Sequence, residues 1–68
     1  MKSRQLVHFL AVYDLGSASA AAKILHITQP ALTKSLRQLE STLNVPLFER
    51  SHKGLLPTKY GHLLARHS

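Results

Sequence analysis

A mainly α fold is predicted: three short helices, a small two-stranded hairpin, and the opening of a fourth helix. Three observations predict it. Residues 18–43 hold two helix-length stretches separated only by His26-Ile27, and Thr28-Gln29-Pro30 opens the second. Leu32, Leu36, Leu39 and Leu43 recur on one side of that second stretch, the period of a helix with one buried face. Two short extended pieces, residues 47–50 and 55–57, flank Ser51-His52-Lys53-Gly54, which reads as a hairpin tip. This is the layout of a winged helix-turn-helix: a three-helix core, a two-stranded wing, and a further helix beginning near residue 58.

The first helix is expected over residues 3–14. Leu6, Phe9, Leu10 and Tyr13 lie at spacings of three and four, with Val7 and Val12 flanking them. Leu15-Gly16-Ser17 ends it, with Gly16 free to take the left-handed conformation. Ser17 is the expected N-cap of the second helix, about Ala18–Leu25. Ala20, Ala21 and Ala22 permit a close helix crossing, and Ile24 and Leu25 supply bulk. His26 falls in the turn, where an unusual backbone conformation is expected.

Thr28 is the expected N-cap of the third helix, which runs over about 29–43, and Pro30 sits in its first turn, where a missing N–H costs little. Asn44 suits a left-handed end, and Pro46 prevents continuation. Leu25, Ile27, Leu32 and Leu36 are expected to lock the second and third helices together. Gly54 supplies positive φ at the hairpin tip. Thr58 caps the last helix, whose apolar face is expected to be Tyr60, Leu63 and Leu64. No stop signal precedes Ser68, so this helix is expected to continue in a longer chain.

Composition narrows the function. A chain of 68 residues forms one small domain, and such a domain buries only about 60% of its unfolded surface. A hydrophobic fraction of 44% argues against disorder. Nine Lys/Arg against three Asp/Glu give a net charge of +6, a field that attracts polyanions, nucleic acid first and anionic membrane second. Cysteine is absent, which excludes disulfides and thiolate metal sites and suits a reducing compartment. The apolar stretches are far below the roughly 20 residues of a membrane span, and His8 and Asp14 interrupt anything resembling a signal peptide.

The polar side of the third helix carries the functional content. Gln29 can bridge an adenine edge or meet a phosphate, and Lys34 can reach guanine O6 and N7. Thr33 can touch a thymine methyl or an acceptor, and Pro30 can press on a thymine methyl. Thr28 and Arg37, with Ser17 at the preceding cap, suit phosphates beside backbone N–H groups. Arg50, His52 and Lys53 make the wing tip basic, fit for the minor groove or the backbone. Lys2 and Arg4 can help from the N-terminus, while Lys23 and Lys59 add to the general field. Each of these side chains could also be ordinary solvated surface; the turn, the cap and the basic wing together favour DNA.

Other chemistries find little support. His62 and His67 are five apart, not on one helix face, and His8 and His26 are isolated, so no metal site is expected. Asp14, Glu40 and Glu49 form no acid/base pair, and neither a glycine-rich phosphate loop nor a nucleophile elbow is present, so no enzyme is expected. A protein-interaction module is the main alternative, but interface cores are depleted in charge. A membrane-surface domain would need an apolar helix face left free for lipid.

The stretch from Ser19 to Glu40, followed by Leu43 to Arg50, strongly resembles the N-terminal domain of LysR-type transcriptional regulators. Gln29-Pro30-Ala31-Leu32 and Leu47-Phe48-Glu49-Arg50 are its most specific parts. Arg4-Gln5-Leu6, Phe9, Gly16-Ser17, Gly54 to Thr58, and Gly61 also fit, so the resemblance spans nearly the whole chain. It implies a bacterial, cytoplasmic regulator with residues 1–57 as the DNA-binding domain and 58–68 as the start of a linker helix that pairs two subunits. It implies binding to interrupted inverted repeats of double-stranded DNA, a tetramer in the full-length protein, no cofactor in this domain, and a small-molecule inducer on a C-terminal domain outside these residues. Base reading then maps onto Gln29, Pro30, Thr33 and Lys34, and wing contacts onto Arg50, His52 and Lys53. There are departures: Ala18 stands where an aromatic residue is frequent, Asn44 where glycine is common, and Thr28 and Thr33 in place of serines.

Overall fold

The computed structural model describes residues 3–52 and 54–67. Helices α1 (Ser3–Leu15), α2 (Ala18–Leu25) and α3 (Gln29–Leu43) lead into strands β1 (Phe48–Ser51) and β2 (Gly54–Pro57), and helix α4 (Lys59–Arg66) closes the order. The strands pair antiparallel, Phe48 opposite Pro57 and Ser51 opposite Gly54. β1 is displaced one residue from the expected 47–50, β2 begins one residue before the expected 55–57, and α1 extends one residue further than expected.

The helix ends are set by local chemistry. The Ser17 side chain accepts from Ala20 N at 3.1 Å and the Thr28 side chain from Ala31 N at 3.2 Å. Each satisfies an N–H that the first helical turn leaves unpaired. His26 (φ 59°) and Asn44 (φ 59°) end α2 and α3 in the left-handed region. Both are non-glycine residues that tolerate this conformation better than branched ones. Ile27 N then donates to Ala22 O at 3.1 Å, closing the turn between α2 and α3.

The core consists of Phe9, Val12, Ala21, Ala22, Leu32, Leu36, Leu39 and Leu47. Leu25, Ile27 and Leu43 pack against it but stay partly exposed. Three expectations are corrected. The buried stripe of α1 is Gln5, Phe9 and Val12, with Leu6, Leu10 and Tyr13 at its edges. A polar residue begins that stripe because Gln5 Nε2 donates to Gln38 Oε1 across to α3 at 3.4 Å. Ile24 does not add bulk to the core; it is 62% exposed. Finally, α4 turns Gly61 inward, with Leu64 and Ala65 packing partly buried, while Leu63 is 53% and Tyr60 37% exposed. A side chain at 61 would collide with the Leu47 carbonyl, so only glycine lets α4 come this close.

Candidate nucleic-acid interface

Leu32, Leu36 and Leu39 turn one side of α3 into the core, so the other side must face out. Gln29, Pro30, Thr33, Lys34, Arg37, Gln38 and Ser41 line an open surface along that outer side. The four residues expected to meet base edges are therefore brought together, with Arg37 among them. Thr28, at the helix start, is exposed. Gln38 and Ser41, which the sequence did not single out, extend the surface by one turn.

A second groove runs between the start of α2, the flank of α3 and the wing. Ser17, Gln29, Thr33, Arg37, Glu40, Arg50 and Ser51 are among the residues lining it. It brings the expected phosphate ligands Ser17 and Arg37 beside the wing residue Arg50. The wing is held in place by backbone: Gly54 has φ 113°, and a Cβ there would lie 2.8 Å from Gly16 O in the α1–α2 corner. Ser51 Oγ donates to Gly54 O at 3.2 Å across the strand ends. His52 is exposed beyond β1 and is not among the described residues lining this groove. Lys53, expected at the wing tip, lies outside the described residues.

On the opposite flank, Arg4 and His8 of α1 line a third groove with Lys34, Ser35 and Gln38. Arg4 thus stands on the same groove as Lys34. His8 Nδ1 and Ser35 Oγ share a hydrogen bond of 2.7 Å. Burial, and secondarily the nearby Arg4 guanidinium, lower the His8 pKa from its usual value, so the neutral ring is favoured. The surface that results is a polar helix face between two basic rims, Arg4 on one side and Arg37 with Arg50 on the other. Among the described residues no group of three or more His, Cys, Asp or Glu could hold a metal ion, and no helix is long and apolar enough to cross a membrane.

Residues 3–62 match the family described as bacterial regulatory helix-turn-helix protein, lysR family. The transcriptional regulator TcbR of Pseudomonas sp. (strain P51) is 48% identical over 62 residues, 91% of this chain and 21% of that protein. The nitrogen assimilation regulatory protein nac of Escherichia coli (strain K12) is 41% identical over 68 residues, 100% of this chain and 22% of that protein. The chain therefore spans about a fifth of the length of the curated relatives it matches. Among solved structures, the CbnR DBD–DNA complex superposes with a TM-score of 0.93 at 45% identity, covering 98% of this chain and 77% of that one. The BenM DBD complex with benA site 1 DNA gives a TM-score of 0.93 at 34% identity, covering 98% and 78%.

Proposed function

The chain belongs to the LysR family of bacterial helix-turn-helix regulators, and from that premise we propose that it binds double-stranded DNA sequence-specifically through the outer side of α3. One observation carries this reading. The side of α3 opposite Leu32, Leu36 and Leu39 presents two amides, two hydroxyls, an ammonium, a guanidinium and a proline ring on one accessible surface. A helix of this width fits the major groove, where amide and ammonium groups distinguish base pairs by their edges.

Gln29, Pro30, Thr33 and Lys34 are the base-reading residues of this proposal. Ser17, Thr28 and Arg37 hold phosphates, which position the helix without reading sequence. Arg50, His52 and Lys53 supply wing contacts to the backbone or minor groove. Solved relatives in complex with DNA support the reading, since their folds superpose closely on this one. The exposed Tyr60 and Leu63 on α4 support pairing of two chains through that helix. Two chains so joined suit an interrupted inverted repeat, and a tetramer and a small-molecule inducer site belong to the longer protein. A DNA regulator of this kind acts in the cytoplasm.

The test is selection of bound duplexes from a random pool, followed by salt titration. Enrichment of a two-part, inverted sequence is expected. With about five phosphates held per subunit, log K falls against log salt with a slope of roughly −4 to −5. Enrichment of no sequence, or affinity indifferent to salt, contradicts the proposal.

A further inference from the structure

Glu40 is the one acidic residue of α3, and its place is electrostatically odd. It is half-buried and lines the groove shared by Ser17, Arg37 and Arg50. A carboxylate there opposes the phosphate that those residues would attract. Its geometry shows another task. Oε2 accepts from Leu47 N at 2.6 Å and from Phe48 N at 3.4 Å. Hydrogen bonds to an ionised acceptor are shorter and stronger than neutral ones. They tie α3 to the start of β1, across the turn made by Asn44, Val45 and Pro46.

The same short segment is gripped from its other side by α4. Leu47 O accepts from Thr58 N at 2.9 Å. Thr58 Oγ1 donates to Pro46 O at 2.6 Å while accepting from Gly61 N at 3.2 Å. Gly61 lies directly against the Leu47 carbonyl. The Leu47 side chain is 1% exposed, anchoring the segment in the core. Two successive peptide units, Pro46–Leu47 and Leu47–Phe48, thus each take Glu40 of α3 on the N–H and Thr58, the cap of α4, on the C=O.

We infer that Glu40 is a positioning residue: its carboxylate holds α4 at a fixed direction to α3 through the Pro46-Leu47 segment, and so sets how far apart two α3 helices stand in a pair joined through α4. The consequence for DNA rests on the function proposed above; the geometry does not. A side chain whose charge disfavours the duplex then governs the half-site spacing that the pair accepts.

The native chain has no cysteine, so Thr42→Cys on α3 and Arg66→Cys on α4, both exposed, would carry one pair of nitroxide labels per chain, with labelled chains diluted in unlabelled parent so that pairing adds no second distance. Pulsed dipolar spectroscopy on the free protein then reads the α3–α4 distance. A narrow distribution is expected for the parent, and a broader one when Glu40→Ala is added with the helical circular dichroism signal retained. Should Glu40→Ala fail to fold, Glu40→Gln is measured instead, which keeps the side-chain shape and weakens the acceptor for Leu47 N and Phe48 N; the expected result is again a broader distribution. An unchanged narrow distribution in whichever variant is folded overturns the inference. On DNA, Glu40→Gln removes one negative charge from the groove that Ser17, Arg37 and Arg50 line, so binding to a non-selected duplex is expected to rise about twofold at low salt. The preference for the selected half-site spacing is expected to fall in the same variant. Equal losses on selected and non-selected duplexes contradict the inference. If the parent binds no duplex at all, the DNA reading fails, and the distance measurement alone decides the role of Glu40.

Discussion

Helix α3 buries Leu32, Leu36 and Leu39, whereas no described residue of the wing strands is buried. The helix is capped at both ends, by Thr28 and by Asn44. The wing is held by strand pairing and by the close approach of Gly54 to Gly16. Both border the same groove, but they offer different things to a duplex. A rod fixed by apolar anchors keeps its polar groups in register with base edges, as specificity requires. An exposed hairpin with an arginine offers charge, which acts through phosphates and largely ignores sequence. Changes in α3 should therefore alter which DNA is bound, and changes in the wing how salt affects binding.

The largest expected effect breaks the anchor itself. Leu32 is fully buried, and truncating such a leucine to alanine costs about 2–5 kcal/mol. In a domain of this size Leu32→Ala is expected to lower the urea midpoint sharply, and an unchanged midpoint would mean α3 is not held as described. Next comes the reading face. Lys34→Ala is expected to weaken binding by about 1–3 kcal/mol on the selected duplex and to relax preference at one base pair. Equal losses on all sequences would make Lys34 a phosphate ligand. Loss of the Thr28 cap has a smaller effect on the fold. Thr28→Ala is expected to destabilise the fold by about 1 kcal/mol, read by thermal or urea unfolding.

The wing supplies the counterpart. Arg50→Ala is expected to weaken binding to any duplex and to reduce the salt slope by about one unit. An unchanged slope would remove the wing from the interface, and lost base preference would erase the distinction from α3. The smallest expected effect is the pH dependence of the α1–α3 contact. The folded His8 pKa lies below its unfolded value, so the unfolded chain takes up the proton first as pH falls. Stability from this site is complete above the unfolded pKa of about 6.5 and is lost as pH falls through the lowered folded value. His8→Gln is expected to flatten that decline in urea midpoints between neutral and mildly acidic pH.

The contrast between helix and wing extends to what could be read from residues alone. Caps, left-handed ends and the leucine face of α3 depend on neighbours within four positions, so Ser17, His26, Thr28, Leu32, Leu36, Asn44 and Thr58 were all legible. The outward set Gln29, Pro30, Thr33, Lys34 and Arg37 followed from the leucine face by subtraction. What escaped depends on partners distant in sequence. Gln5 is buried because Gln38 receives its amide, and Phe9 and Val12 complete a stripe whose first member looks polar. The inward side of α4 is marked by Gly61, which has no side chain to announce burial, while the bulky Tyr60 and Leu63 face out. Glu40 looks like any solvated helix acid until the N–H groups of Leu47 and Phe48 fold back onto it. Ile24 shows the converse, an apolar residue left outside because α2 spends its inner face on Ala21 and Ala22.

Amide chemical-shift mapping of the isotopically labelled chain, titrated with its selected duplex, tests the central claim most directly. The largest shifts are expected along residues 28–38, with smaller ones at Ser17 and Arg50, and little change along Lys59–Arg66. Shifts gathered on α4 or on the outer side of α2, with residues 28–38 undisturbed, would contradict the assignment of α3 as the reading element.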